Sequence, residues 1–161
     1  MTFAPRALFA SYLIFSLTGV AGANPLGLVL PTENDAIFSA DPSSFYMYTD
    51  RHFEGVTSKP WQGGTYGFSR NQRRTNSGIV CTRFHEGVDI RPVRRDDSGN
   101  PLDDIRSIAD GTVVYVNSTS SLSNYGKYIV VHHDWGEGPF FSLYAHLHSA
   151  SAVAGQKVRA G

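Results

Sequence analysis

From residue 105 onward, apolar and polar positions alternate in short runs that glycine turns interrupt. Residues 105–109 return to a core, and Asp110-Gly111 marks a tight turn. Thr112-Val113-Val114-Tyr115-Val116 is β-branched or aromatic throughout and predicts a strand. A serine-rich loop over 117–124 leads to a second predicted strand at 127–133. The turn 134–139 leads into a third strand at 140–147. On that strand Phe141, Leu143, Ala145 and Leu147 share one face, while Ser142, Tyr144, His146 and His148 share the other. His146 and His148 would then project the same way, about 7 Å apart, and by themselves read as imidazoles on a wet sheet face.

Upstream the pattern weakens. Residues 24–75 are rich in Pro, Gly, Asn, Asp and aromatics without a helical period. Residues 34–38 and 45–48 read as short strands or as an extended wrap over a sheet, and 61–68 as a glycine-punctuated turn with buried aromatics. The polar stretch 91–104 holds a strong turn signal at 97–101. Short strands with glycine turns and no convincing helix predict an antiparallel all-β domain.

Composition narrows the class. A hydrophobic content of 41%, with 12% aromatics, suffices for a packed core. Basic and acidic residues balance at 14 each, which gives no electrostatic reason to expect nucleic acid or an anionic membrane surface. At the N-terminus, Arg6, an apolar run over 7–20 and Ala21-Gly22-Ala23 have the form of a cleavable export leader. The run is shorter than the roughly 20 residues of a spanning helix. The expected organisation is a signal peptide at 1–23, an extension at 24–75 packed on the domain, and a domain over 76–161. The mature protein is expected to be exported, without a stable membrane span; the sequence leaves its oligomeric state open.

The candidate chemistry sits in Phe84-His85-Glu86-Gly87-Val88-Asp89-Ile90. Imidazole and carboxylate are ordinary zinc ligands at roughly 2.0–2.2 Å. In a straight strand, residues four apart are about 13 Å apart. The backbone must therefore bend, and Gly87 is the residue best suited to take a positive φ there. The neighbouring Gly78, Ile79, Val80, Thr82, Gly87, Val88 and Ile90 disfavour a helix, so a metal clip at a turn entering a strand is expected. Cys81 is the chain's single cysteine, so an internal disulfide is excluded. It reads as a small buried hydrophobe rather than a third ligand. His52 reads as a surface or capping residue, and His133 as a core group.

Taken together, His85-Glu86-Gly87-Val88-Asp89-Ile90, Ala109 to Val114, Asn124-Tyr125-Gly126, Tyr144-Ala145-His146-Leu147 and residues 153–161 resemble the lysostaphin and LytM type of zinc peptidoglycan endopeptidase. The pieces occur in that family's order across roughly residues 80–161. The resemblance implies an antiparallel β-sheet groove of the duplicated hybrid motif type. It implies Zn2+ bound by His85 and Asp89, and His146 as the catalytic residue beside the attacking water. The substrate it implies is the cross-linking peptide of peptidoglycan. The family's terminal His-x-His, which supplies the third zinc ligand, has no counterpart in these residues, so the domain is expected to lack its last strands. His148 is a minor substitute for that ligand: the Val-x-x-Gly turn that should precede the His-x-His here follows His146, at 153–161.

Two other classes fit in part. A non-catalytic, wall-binding or hydrolase-regulating version of the same fold would be expected to lose His85 or Asp89. A lipoyl- or biotinyl-type carrier needs a lysine at a hairpin tip, whereas Lys127 begins a strand.

Overall fold

The computed structural model describes residues 27–136 and 138–161; the leader read at 1–23 lies outside the described residues. Among the described residues the strands are β1 (Arg51–Phe53), β2 (Val56–Ser58), β3 (Ser69–Thr75), β4 (Gly78–Phe84), β5 (Gly111–Asn117), β6 (Tyr128–Asp134), β7 (Pro139–Tyr144) and β8 (Lys157–Val158). They form two hairpins, β1-β2 and β3-β4, and one four-stranded sheet in the order β7-β6-β5-β8. Every pairing is antiparallel. The helical elements among the described residues are 3-10 turns of three or four residues. The all-β antiparallel class expected from the alternation is therefore the class observed. No helix among the described residues is long and apolar enough to cross a membrane.

The sheet buries a polar face. Val131, His133 and Val113 are nearly inaccessible, and Ser142 lies with them on β7. Phe141 and Leu143, the apolar alternates on that strand, point outward and are exposed. The Ser142–Tyr144 face is thus inside, a correction to its expected wet position. The reason is a continuous set of polar partners. His133 Nδ1 lies 2.8 Å from the Asp110 carbonyl oxygen, which can only accept, so Nδ1 carries a proton. In the neutral ring Nε2 then accepts from Ser142 Oγ at 2.8 Å. Ser142 Oγ is 2.9 Å from Tyr144 Oη, and Tyr144 Oη accepts the Ile108 amide at 2.8 Å. Phe140 stacks on the His133 ring with centroids 4.5 Å apart. His133 is the core group the sequence suggested.

Gly111 lets the β5 entrance close on this network. A Cβ there would lie 2.5 Å from the His132 carbonyl oxygen and 2.7 Å from His133 Nδ1.

Two buried asparagines fasten the irregular segments. Asn34 donates to the Ser44 and Arg91 carbonyls at 2.9 and 2.8 Å, tying the N-terminal stretch to the segment after Asp89. Asn117 donates to the Thr119 and Gly126 carbonyls at 3.1 and 2.7 Å, closing the serine-rich loop. At that loop's far end Tyr125 Oη donates to Glu86 Oε2 at 3.0 Å. This bond pushes the Tyr125 phenol above its ordinary pKa, because the ionised phenol would lose its donor and face a carboxylate.

Several local expectations are corrected. Residues 34–38 contain a 3-10 turn, Ala36–Phe38, and Asn34 Oδ1 bends the chain into it by accepting from the Ala36 amide at 3.0 Å. In the 45–48 stretch Phe45 closes the 3-10 turn Pro42–Ser44 in a right-handed helical conformation, and Tyr46 to Tyr48 follow the extended alternative, with a bridge from Tyr46 to Ile90. The third predicted strand stops at Tyr144 rather than 147. His146 has a φ of 56°, a left-handed conformation that ends the alternation, so His146 and His148 are not successive residues of one strand face.

Ser142→Ala leaves His133 Nε2 buried without its donor and is expected to lower unfolding free energy by about 1–3 kcal/mol, read from urea denaturation. Alkaline titration followed by tyrosine absorbance is expected to show Tyr125 ionising later than an ordinary tyrosine. Glu86→Gln should return it toward the ordinary value. The sign follows from the raised folded-state pKa: the Tyr125–Glu86 bond contributes below the unfolded tyrosine pKa and is lost as pH rises through the folded one.

Candidate metal centre

The segment from His85 to Asp89 is held from both ends by backbone bonds. The β3-β4 ladder continues past Phe84, with His85 N–H donating to the Phe68 carbonyl at 2.9 Å and Gly67 N–H to the His85 carbonyl at 2.8 Å. Four residues on, Asp89 N–H donates to the Gly64 carbonyl at 2.8 Å, and the Asp89 carbonyl accepts from Met47 N–H at 2.9 Å. The 3-10 turn Trp61–Gly64 is therefore the jig that curves the chain. Gly64 is required there for space: a Cβ would lie 2.7 Å from the Met47 carbonyl oxygen and 3.0 Å from that of Asp89. Gly87, expected to supply a positive φ, is not among the residues with positive φ. The curvature is spread over the pairing with 64–68 instead of being concentrated at one left-handed residue.

The side chains converge inside that curve. His85 Nδ1 is 3.0 Å from the Thr65 carbonyl oxygen, so it carries the proton and Nε2 presents its lone pair. His85 Nε2 lies 3.3 Å from Asp89 Oδ1, with the imidazole largely shielded and the carboxylate about one-third exposed, at 13% and 32%. A lone pair and a carboxylate oxygen repel unless something positive joins them, either a proton on the ring or a cation. Two donors about 2.0–2.1 Å from a tetrahedral ion stand roughly 3.4 Å apart. The pair fits two corners of a zinc site.

The other carboxylate oxygen is already engaged. Arg70 Nη2 donates to Asp89 Oδ2 at 3.0 Å and to the Gly63 carbonyl at 2.7 Å. This guanidinium fixes the plane of the carboxylate and leaves Oδ1 facing His85. Arg70 Nε is buried without a hydrogen-bond partner among the described residues. Arg70 and Thr65 were not found from the sequence. Arg70 lies in an all-polar run with no motif spacing to Asp89, and Thr65 acts through its carbonyl, which any residue type would supply.

The remaining site candidates fall in different places. His146 is exposed on a loop whose amides donate to the carbonyls of Tyr125 and Lys127, at 2.9 Å from His146 and 3.0 Å from Leu147. A Cβ at Gly126 would lie 3.7 Å from His146 Nδ1, and Tyr125 links this region to Glu86 beside His85. His148 is exposed, and its carbonyl accepts from Lys127 Nζ at 2.8 Å. Cys81 is exposed on β4 opposite Gln72, not buried as expected, because the β4 positions around it are themselves exposed. His52 is exposed and bonded to Thr57 Oγ1 at 2.9 Å, as a surface histidine should be. Among the described residues, no group of three or more His, Cys, Asp or Glu side chains is placed to hold one metal ion. The structure thus brings His85 and Asp89 together and, among the described residues, gathers no third protein ligand around them.

A search of curated proteins and a search of solved structures each returned no match. A family model does match: residues 83–161 fit Peptidase family M23. The matched stretch starts two residues before His85 and includes Asp89, Tyr125 and His146. Over this segment the chain belongs to peptidase family M23, the lysostaphin and LytM type of metallopeptidase.

Proposed function

We propose that this chain carries the zinc clip of an exported metalloendopeptidase that hydrolyses cross-link peptide bonds of bacterial peptidoglycan. Family M23 generally comprises zinc metallopeptidases acting on peptidoglycan peptides, which supports the coarse class. The observation that carries the finer reading is the 3.3 Å approach of His85 Nε2 to Asp89 Oδ1, with Nδ1 committed to Thr65 and Oδ2 to Arg70. Both donors are oriented in advance, so binding a cation requires little rearrangement of either.

His85 and Asp89 hold the metal in this proposal, and Thr65 and Arg70 orient them. When bound, zinc supplies a Lewis acid for a peptide carbonyl and lowers the pKa of an attacking water. His146 hydrogen-bonds the water or the developing oxyanion and moves the proton. The Tyr125–Glu86 bond sets the spacing between the His146 loop and the clip. The leader at 1–23 delivers the domain to a wall substrate outside the cytoplasm.

A second reading has one observation behind it. With no group of three ligands among the described residues, the domain could bind wall peptide without cutting it. Turnover separates the two readings.

Metal analysis of the purified chain after zinc loading is expected to show weak, chelator-reversible binding that His85→Ala or Asp89→Ala removes and His148→Ala leaves intact. Zinc lost in His148→Ala but kept in His85→Ala would place the site elsewhere. In a muropeptide cleavage assay, His146→Ala is expected to reduce turnover by roughly 10²–10⁴-fold with zinc content unchanged. Binding of muropeptide by the zinc-loaded chain without any product would instead establish the non-catalytic reading.

A further inference from the structure

Beside the clip lies a basic cleft of about 210 Å³, lined by Met47, Tyr48, Lys59, Arg91 and Arg95. Its three cations come from two separate stretches of chain, Lys59 from one and Arg91 with Arg95 from the other, and no acidic residue lines it. The cleft adjoins the clip by direct backbone pairing. Met47 N–H donates to the Asp89 carbonyl, Arg91 N–H donates to the Phe45 carbonyl at 2.8 Å, and Tyr46 bridges to Ile90. Arg91 is two residues beyond Asp89, a distance of roughly 7 Å in extended chain.

Among the described residues, Asp50 is the acid that forms an ion pair with one of these cations. Asp50 pairs with Lys59 at 3.5 Å, but both side chains are more than 60% exposed, so the pair is weak. Asp41, held as a carboxylate by the amide and hydroxyl of Ser43, offsets part of the Arg91 charge without pairing with it directly. Asp96 accepts from Ser98 and Asn100 within its own turn. The arginines meet carbonyls: Arg91 Nη1 donates to Ser43 at 3.2 Å, and Arg95 Nη1 to Gly99 at 2.6 Å. Arg91 also lies over the Tyr48 ring, 6.0 Å from its centroid, which orients the guanidinium plane. Met47 and Tyr48 add a half-exposed apolar wall.

We infer that this cleft is a substrate subsite for a free carboxylate of the peptide presented to the clip. Forked guanidinium donors match a carboxylate in charge and geometry. The volume suits one carboxylate with a short side chain against Met47 and Tyr48, rather than a polymer. The inference rests on the peptide-substrate proposal above and specifies which part of the substrate is recognised. A phosphate would satisfy the same donors, so the test includes one.

Binding is measured by calorimetry on the full chain treated with chelator, so that cleavage plays no part. The probes are a synthetic wall stem peptide ending in a free carboxylate, its C-terminal amide, and inorganic phosphate. The carboxylate form is expected to bind at least about tenfold tighter than the amide. The preference should shrink with added salt, vanish in the double variant Lys59→Gln, Arg95→Gln, and return in part with Arg95→Lys. Both altered side chains are exposed, and unchanged circular dichroism confirms that the variants fold. Equal binding of acid and amide, or phosphate binding tighter than either, overturns the inference while zinc binding and turnover stand. Failure to bind either peptide while muropeptide is still cleaved does the same. Failure of both binding and cleavage overturns the substrate proposal and the subsite with it.

Discussion

His85 and Asp89 meet because the backbone on each side of them is committed to other strands. Residue 85 completes the β3-β4 ladder, and residue 89 sits between Gly64 and Met47. Neither end can relax without breaking hydrogen bonds that would otherwise be left unmade in a partly buried site. This constraint turns two flexible side chains into a donor pair 3.3 Å apart. It also explains why Gly64, rather than Gly87, is the glycine that matters. The tight point is where residue 64 passes between two carbonyls, not where the clip itself curves.

The same logic runs through the four-stranded sheet. Its buried face is stabilised by apolar contact around Val113 and Val131, and equally by polar groups that each find a partner. His133, Ser142 and Tyr144 pass hydrogen bonds from the Ile108 amide to the Asp110 carbonyl. That chain fixes the loop entering β5 and, through the β6-β7 pairing, the strand from which the His146 loop departs. A left-handed residue at His146 then turns the chain toward Tyr125 and Lys127. The two histidine-bearing loops are joined by the Tyr125–Glu86 hydrogen bond, which spans 39 residues of sequence.

The three arginines near the clip differ in what they meet. Arg70 reaches a carboxylate and spends its charge on orienting Asp89. Among the described residues, the hydrogen bonds of the Arg91 and Arg95 guanidiniums go to backbone carbonyls, which leave their charge in place. A nearly neutral chain can therefore present a locally positive cleft.

The residues alone were enough for the fold class and for expecting His85 and Asp89 to converge, for stated physical reasons. β-branched alternation at 112–116 and 127–133 leaves few conformations other than paired strands. A histidine and a carboxylate four apart next to a helix-poor run left a bent loop as the conformation that brings the two side chains together. Other features depended on partners distant in sequence. β3 is Ser-Arg-Asn-Gln-Arg-Arg-Thr, which has no apolar period, and it is a strand because β4 pairs with it. The inward turn of Ser142 depends on a histidine in the neighbouring strand, and the role of Arg70 on an aspartate 19 residues away. Local periodicity encodes which segments extend; which of their polar groups find one another is settled when the strands pack, since a buried donor is stable only beside an acceptor that another part of the chain delivers.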